Sequence, residues 1–150
     1  METENNLKPL LIAINAEKKA IEYYSRAAKR VVNQQGKDAL NKIKAQEERH
    51  CRELVKKFKK LAGHEPGAAE IEGVGAAISA LTEEHIPDKE ASDLEVCQVA
   101  LADEQAAHAF YVNSAEKATD EETKKIFLDL AQEESQHAKT VTHICRILSR

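Results

Sequence analysis

Residues 40–54, LNKIKAQEERHCREL, decide the fold. Leu40, Ile43, Glu47, His50 and Leu54 recur at alternating steps of three and four, so they share one stripe of an α-helix. A stripe that carries leucine and isoleucine faces a core, yet its middle is a glutamate and a histidine. Residues 127–141, FLDLAQEESQHAKTV, repeat the pattern, with Leu130, Glu134, His137, Val141 and then Ile144 on one stripe. Two helices therefore carry Glu-x-x-His on faces that should be buried.

The rest of the chain supplies two further helices. Leu7, Leu10, Leu11, Ile14, Ile21, Tyr24, Ala28 and Val31 define a first one, and Asn33-Gln34-Gln35-Gly36 reads as a tight turn into the second. Gly63 is a C-terminal stop for the second. Ser92-Asp93-Leu94-Glu95 reads as a capping box opening a third helix through Cys97, Leu101, Tyr111 and Ala115. Thr119-Asp120-Glu121-Glu122 reads as another, opening the fourth. The expected helices span about 6–34, 38–62, 92–118 and 120–149, in a single domain over residues 1–150. The segment from about 63 to 91 holds four of the five glycines and two of the three prolines, with a possible short helix at Ala76–His85. A connection this long can run the length of a bundle, whereas a tight loop cannot. The expected fold class is all-α: a four-helix bundle of two helical hairpins joined by a long crossover.

The two hairpins repeat. Adding 87 takes Glu17 to Glu104, Tyr24 to Tyr111, Glu47 to Glu134 and His50 to His137, without a gap from residues 13–63 to 100–150. Of nine identities, eight fall on inward stripes, Lys37 being the exception. Glu17 and Glu104 stand on their stripes as Glu47 and Glu134 do, so four carboxylates share one core. Burying them uncompensated costs several kcal/mol per ion. Two divalent cations would balance the four charges, and imidazoles would complete the donor set. A glutamate from each of two helices plus Glu-x-x-His from each of the others is a di-iron or di-manganese pattern. Carboxylate with imidazole suits iron or manganese, and without thiolates a structural zinc site is disfavoured. A lone Glu-x-x-His in a glutamate-rich helix would say little; two copies in register on apolar seams say much more.

The motifs Glu17-Lys18-Lys19-Ala20-Ile21-Glu22-Tyr23-Tyr24, Glu104-Gln105-Ala106-Ala107-His108-Ala109-Phe110-Tyr111, Glu47/His50 and Glu134/His137 resemble those of the rubrerythrin family of ferritin-like di-iron proteins. The resemblance covers both hairpins. It implies that Glu47 and Glu134 bridge two iron ions, that Glu17 and His50 complete one and that Glu104 and His137 complete the other. Tyr24 and Tyr111 would donate to carboxylates, though core packing explains them equally well. Rubrerythrins proper carry a rubredoxin domain, which this sequence has no CxxC pairs to build. An additional family glutamate is also missing, Leu101 standing in its place. His108 is either an extra ligand or relay, or a structural histidine. Glu22, Glu48, Asp103 and Glu133 adjoin the motifs but point about 100° away from them, and are expected at the surface.

The resemblance implies a non-haem oxidoreductase that reduces hydrogen peroxide or O2 with electrons from an external donor such as a rubredoxin-like protein. A ferroxidase and a non-catalytic, metal-stabilised binding module are the alternatives. A bacterioferritin-type haem is not expected, because Met1 is the only methionine. The net charge of −4 is spread along the chain, without the basic stripe of a nucleic-acid binder. No segment has the length of a membrane span or the pattern of a secretory signal. The expected location is the cytoplasm, with Cys51, Cys97 and Cys145 as idle thiols and the chain as a homodimer.

Overall fold

The computed structural model describes residues 2–74 and 91–149, with the side chains of 2–5 excepted. Its elements are α1 (Glu2–Arg30), α2 (Gln34–Ala62), α3 (Ala68–Gly73), α4 (Asp93–Lys117) and α5 (Glu121–Leu148). There is no strand among the described residues. The segment Ala76–His85 lies outside them, and the short helix that is described, α3, precedes it.

The helix ends follow local chemistry. Asn33 caps α2, its side-chain oxygen accepting from the backbone N–H of Gly36 at 2.9 Å. The turn is thus Val31–Asn33, earlier than expected, and Gly36 lies inside the first turn of α2. There a Cβ would come within 3.1 Å of Val31 Cγ1, so a hydrogen at this position lets the hairpin close. Gly63 ends α2 in the left-handed region, φ 81°, where a side chain would be strained. Ser92 caps α4 as expected, accepting from the Glu95 N–H at 3.1 Å. For α5 the cap is Asp120 rather than Thr119, because the Asp120 carboxylate reaches the N–H of Thr123 at 2.6 Å.

Cross-helix contacts fix the topology. Tyr24 meets Glu104 and Tyr111 meets Glu17, so α1 and α4 are antiparallel. Arg49 meets Glu133 and Lys60 meets Glu122, so α2 and α5 are antiparallel too. Each hairpin is antiparallel internally, and the bundle therefore runs up-down-down-up. The start of α4 lies beside the α1–α2 turn, where Asp93 accepts from the Val32 N–H at 3.1 Å. The end of α2 lies at the other end of the bundle, near the start of α5. At 1.5 Å per residue the chain must cross roughly 40 Å between them, which makes the connection a true crossover.

The apolar core falls into two clusters. One includes Tyr24, Val31, Leu40, Ile43, Val96 and Val141. The other includes Leu10, Ile14, Leu54, Phe58, Tyr111, Phe127 and Leu130. Between them sits a polar layer. The hairpin α4–α5 carries one further link, a disulfide between Cys97 and Cys145 with Cα atoms 5.6 Å apart. This corrects the expectation of three idle thiols: the start of α4 and the end of α5 come together as the hairpin closes. Cys51 alone is free.

Candidate metal centre

The polar layer consists of Glu17 from α1, Glu47 and His50 from α2, Glu104 from α4, and Glu134 and His137 from α5, each at most 5% exposed. All six residues expected from the sequence are brought together. They form two groups that could each hold a metal ion, Glu17, Glu47, His50 and Glu134 in one, and Glu47, Glu104, Glu134 and His137 in the other. Within each group, one donor atom per residue lies within 4.8 Å of the rest. Glu47 and Glu134 belong to both.

Both imidazoles turn Nδ1 inward. His50 Nδ1 lies 3.2 Å from Glu134, 3.7 Å from Glu17 and 3.8 Å from Glu47. His137 Nδ1 lies 2.8 Å from Glu47, 3.4 Å from Glu104 and 3.6 Å from Glu134. The opposite ring nitrogens face outward, His50 Nε2 to Glu133 and His137 Nε2 to Gln46. The two rings stack with centroids 5.7 Å apart.

The donor set fits metal. Each of the six residues has one fully buried atom that makes no hydrogen bond to the protein: Glu17 Oε2, Glu47 Oε1, His50 Nδ1, Glu104 Oε2, Glu134 Oε1 and His137 Nδ1. Orphaned buried polar atoms are costly and uncommon in native proteins. Six of them converging on one layer are what coordination to shared ions would satisfy. The outer oxygens of Glu17 and Glu104 are not idle. Tyr111 donates to Glu17 Oε1 at 2.6 Å and Tyr24 to Glu104 Oε1 at 2.5 Å, so the tyrosines are carboxylate donors as well as core residues.

Without metal, electrostatics force protons into the layer. Burial raises the Glu47 carboxyl well above its usual range, and the charges of Glu17 and Glu134 raise it further. Burial and the charge of Glu104 do the same to Glu134. Burial also acts to raise Glu17, but polar contact with Glu47 and His50 and the charge of His50 outweigh it and hold that carboxyl low. Burial opposes a charge on His137, yet Glu104, Glu134 and Glu47 push its pKa up to about 12. The two shared glutamates thus hold a proton more tightly than free carboxyls, and the flanking Glu17 less tightly.

Two neighbours were misplaced by sequence reading. Asp103, expected at the surface, is 3% exposed. Burial and then the Glu104 charge raise its carboxyl to about 8. It lines a cavity of about 20 Å³, enough for a water-sized guest, whose walls also include Ala16, Ala20, Ala107 and the four glutamates. α4 packs on both α1 and α5, so its buried arc is wide enough to take in Asp103 as well as Glu104. Glu133 is half exposed but touches His50, and so belongs to the layer's edge. Glu22 does lie at the surface, paired with Arg26. His108 is a structural histidine: its Nδ1 lies 2.7 Å from the Ala131 carbonyl, tying α4 to α5 outside both donor groups.

The rubrerythrin family model matches residues 8–145. A two-domain protein from Anabaena variabilis, with DJ-1/ThiJ/PfpI-like and ferritin-like domains, is similar in structure at 16% identity and a TM-score of 0.77. That match covers 98% of this chain and 37% of the Anabaena chain, so this chain spans about a third of that protein. A hypothetical protein from Pyrococcus furiosus is similar at 22% identity and a TM-score of 0.73, over 95% of this chain and 89% of its own. YcfI from Rhodopseudomonas palustris is similar at 18% identity and 0.72, over 91% and 90%. These likenesses show the ferritin-like fold. No curated protein matches the sequence.

Proposed function

The chain belongs to the rubrerythrin family, and on that premise we propose that it is a non-haem di-iron oxidoreductase that reduces hydrogen peroxide or O2 with electrons from a separate donor protein. The carrying observation is the convergence of six orphaned donor atoms in two groups that share Glu47 and Glu134. Two iron ions bound there would supply the two electrons that turn H2O2 and two protons into two waters, one electron from each ion.

The chain's own residues then have definite tasks. Glu47 and Glu134 would bridge, Glu17 and His50 would complete one position, and Glu104 and His137 the other. Tyr24 and Tyr111 hold the terminal glutamates by their outer oxygens, which leaves Glu104 Oε2 and Glu17 Oε2 without a hydrogen bond and available to hold metal. The alanines at 16, 20 and 107 keep a cavity of about 20 Å³ beside the glutamates, a size that favours a diatomic or peroxide over an organic substrate. Iron suits this set of carboxylates and imidazoles, and manganese is the alternative ion.

A ferroxidase is the second reading, supported by Leu101 standing where the family's additional glutamate would be. The two are separated by anaerobic loading with Fe(II) followed by stoichiometric H2O2. The oxidoreductase consumes one peroxide per chain, keeps its iron and turns over again when re-reduced. A ferroxidase instead releases ferric product and needs fresh Fe(II). Protein that binds iron without consuming peroxide or O2 would contradict both.

A further inference from the structure

The 87-residue repeat is broken where the two histidines meet the outside. His50 presents Nε2 to Oε2 of Glu133 on α5. His137 presents Nε2 to Oε1 of Gln46 on α2 at 2.6 Å. Gln46 and Glu133 are themselves repeat partners, each standing just before the shared glutamate of its helix. The architecture is therefore the same at both ends, but one histidine is held by a carboxylate and the other by a neutral amide.

The carboxylate end is also braced. Arg49 Nη2 donates to both Glu133 oxygens, at 2.8 and 2.9 Å, and Arg49 Nη1 donates to Glu53 at 3.0 Å. The repeat partner of Arg49 is Gln136, so the brace has no charged counterpart beside His137. Arg49 and Glu133 are 42% and 39% exposed, and an ion pair so open to water adds little stability. The two bonds from one nitrogen, with the other nitrogen held by Glu53, still orient the carboxylate.

An imidazole N–H that donates to a carboxylate is polarised toward imidazolate, and its other nitrogen becomes a stronger donor. Donation to an amide oxygen polarises it much less. We infer that Glu133, oriented by Arg49, is a positioning residue that makes the His50 end the tighter of two metal positions, while Gln46 leaves the His137 end the weaker. The inference rests on the proposed reading of the six residues as ligands of two ions. Its prediction is unequal binding in a site whose six inward residues are symmetric.

The test is calorimetric titration of the metal-free full chain with Co(II). The wild type should take two equivalents of unequal affinity. Glu133→Gln should weaken the tighter one by about ten- to a hundredfold, and Gln46→Glu should tighten the weaker one. Two further backgrounds identify the position. In His137→Ala, Glu133→Gln should still weaken the remaining equivalent about tenfold, whereas in His50→Ala it should change nothing. Equal affinities in the wild type, or a loss of the same size in both histidine backgrounds, would overturn the inference while leaving the di-metal reading intact. Fewer than two equivalents in the wild type would overturn that reading and this inference together.

Discussion

The hydroxyl of Tyr24 on α1 lies 2.5 Å from Oε1 of Glu104 on α4, eighty residues away. The repeat turns this bond into its twin, Tyr111 to Glu17 at 2.6 Å. The two bonds cross between the hairpins and hold the layer from both sides. Burial and the neighbouring glutamate charges raise both phenols well above their usual range, so they remain donors at any ordinary pH. Tyr24→Phe and Tyr111→Phe should each leave a buried carboxylate oxygen without its partner, at a cost of about 1–3 kcal/mol in metal-free protein. Urea unfolding measures it, and the symmetry predicts losses of similar size. A loss confined to one variant would mean that only one of the two bonds matters.

Asp120 supplies a pH-dependent cap away from the centre. Burial acts to raise its carboxyl, but the Thr123 hydroxyl and N–H, with Lys57 and Lys60 nearby, hold it below the usual value. A depressed folded pKa stabilises above the unfolded value of about 3.9 and loses that effect as pH falls through the folded one. Asp120→Ala should cost about 1 kcal/mol near neutrality. The gap between variant and wild type should close below about pH 4. Stability curves for the pair check this, and a gap that persists in acid would assign the cost to something other than the charge.

The fold and the inward six were legible because polar residues on an apolar stripe are anomalous, and an exact repeat of the anomaly is informative. What surrounds them was not. Asp103 and Glu133 each directly precede a stripe glutamate, and a 100° rotation reads as exposure unless the breadth of the neighbouring contact is known. One signal did point to Glu133: the register pairs it with Gln46, so both precede a glutamate of the same layer. The Cys97–Cys145 bond was hidden for a different reason. Its partners lie 48 residues apart and meet only because the closed hairpin lays the end of α5 beside the start of α4.

That disulfide should be worth about 2–4 kcal/mol, since it closes a long loop in the unfolded chain. Reductant should lower the melting temperature of the wild type and leave Cys97→Ala/Cys145→Ala unaffected. Equal melting of the wild type with and without reductant would mean that the bond contributes nothing.

Metal uptake should release protons. In the metal-free protein His137 is raised to about 12 and so holds a proton near neutral pH, and Glu47 and Glu134, raised well above the usual range, hold theirs more tightly than free carboxyls; coordination must displace these protons. The sign is therefore that affinity rises with pH, and acid strips the metal. Calorimetry in buffers of different ionisation enthalpy should give binding heats that track the buffer. Heats independent of the buffer would contradict a protonated metal-free layer.

The central claim is that Glu47 and Glu134 are shared between two metal positions, and stoichiometry tests it most directly. Anaerobic equilibrium dialysis of the full chain against Fe(II), followed by metal analysis, should find two irons per chain in the wild type. It should find almost none in Glu47→Ala or Glu134→Ala, because each removes a donor from both positions. Two irons retained in either variant, or none in the wild type, would contradict the account.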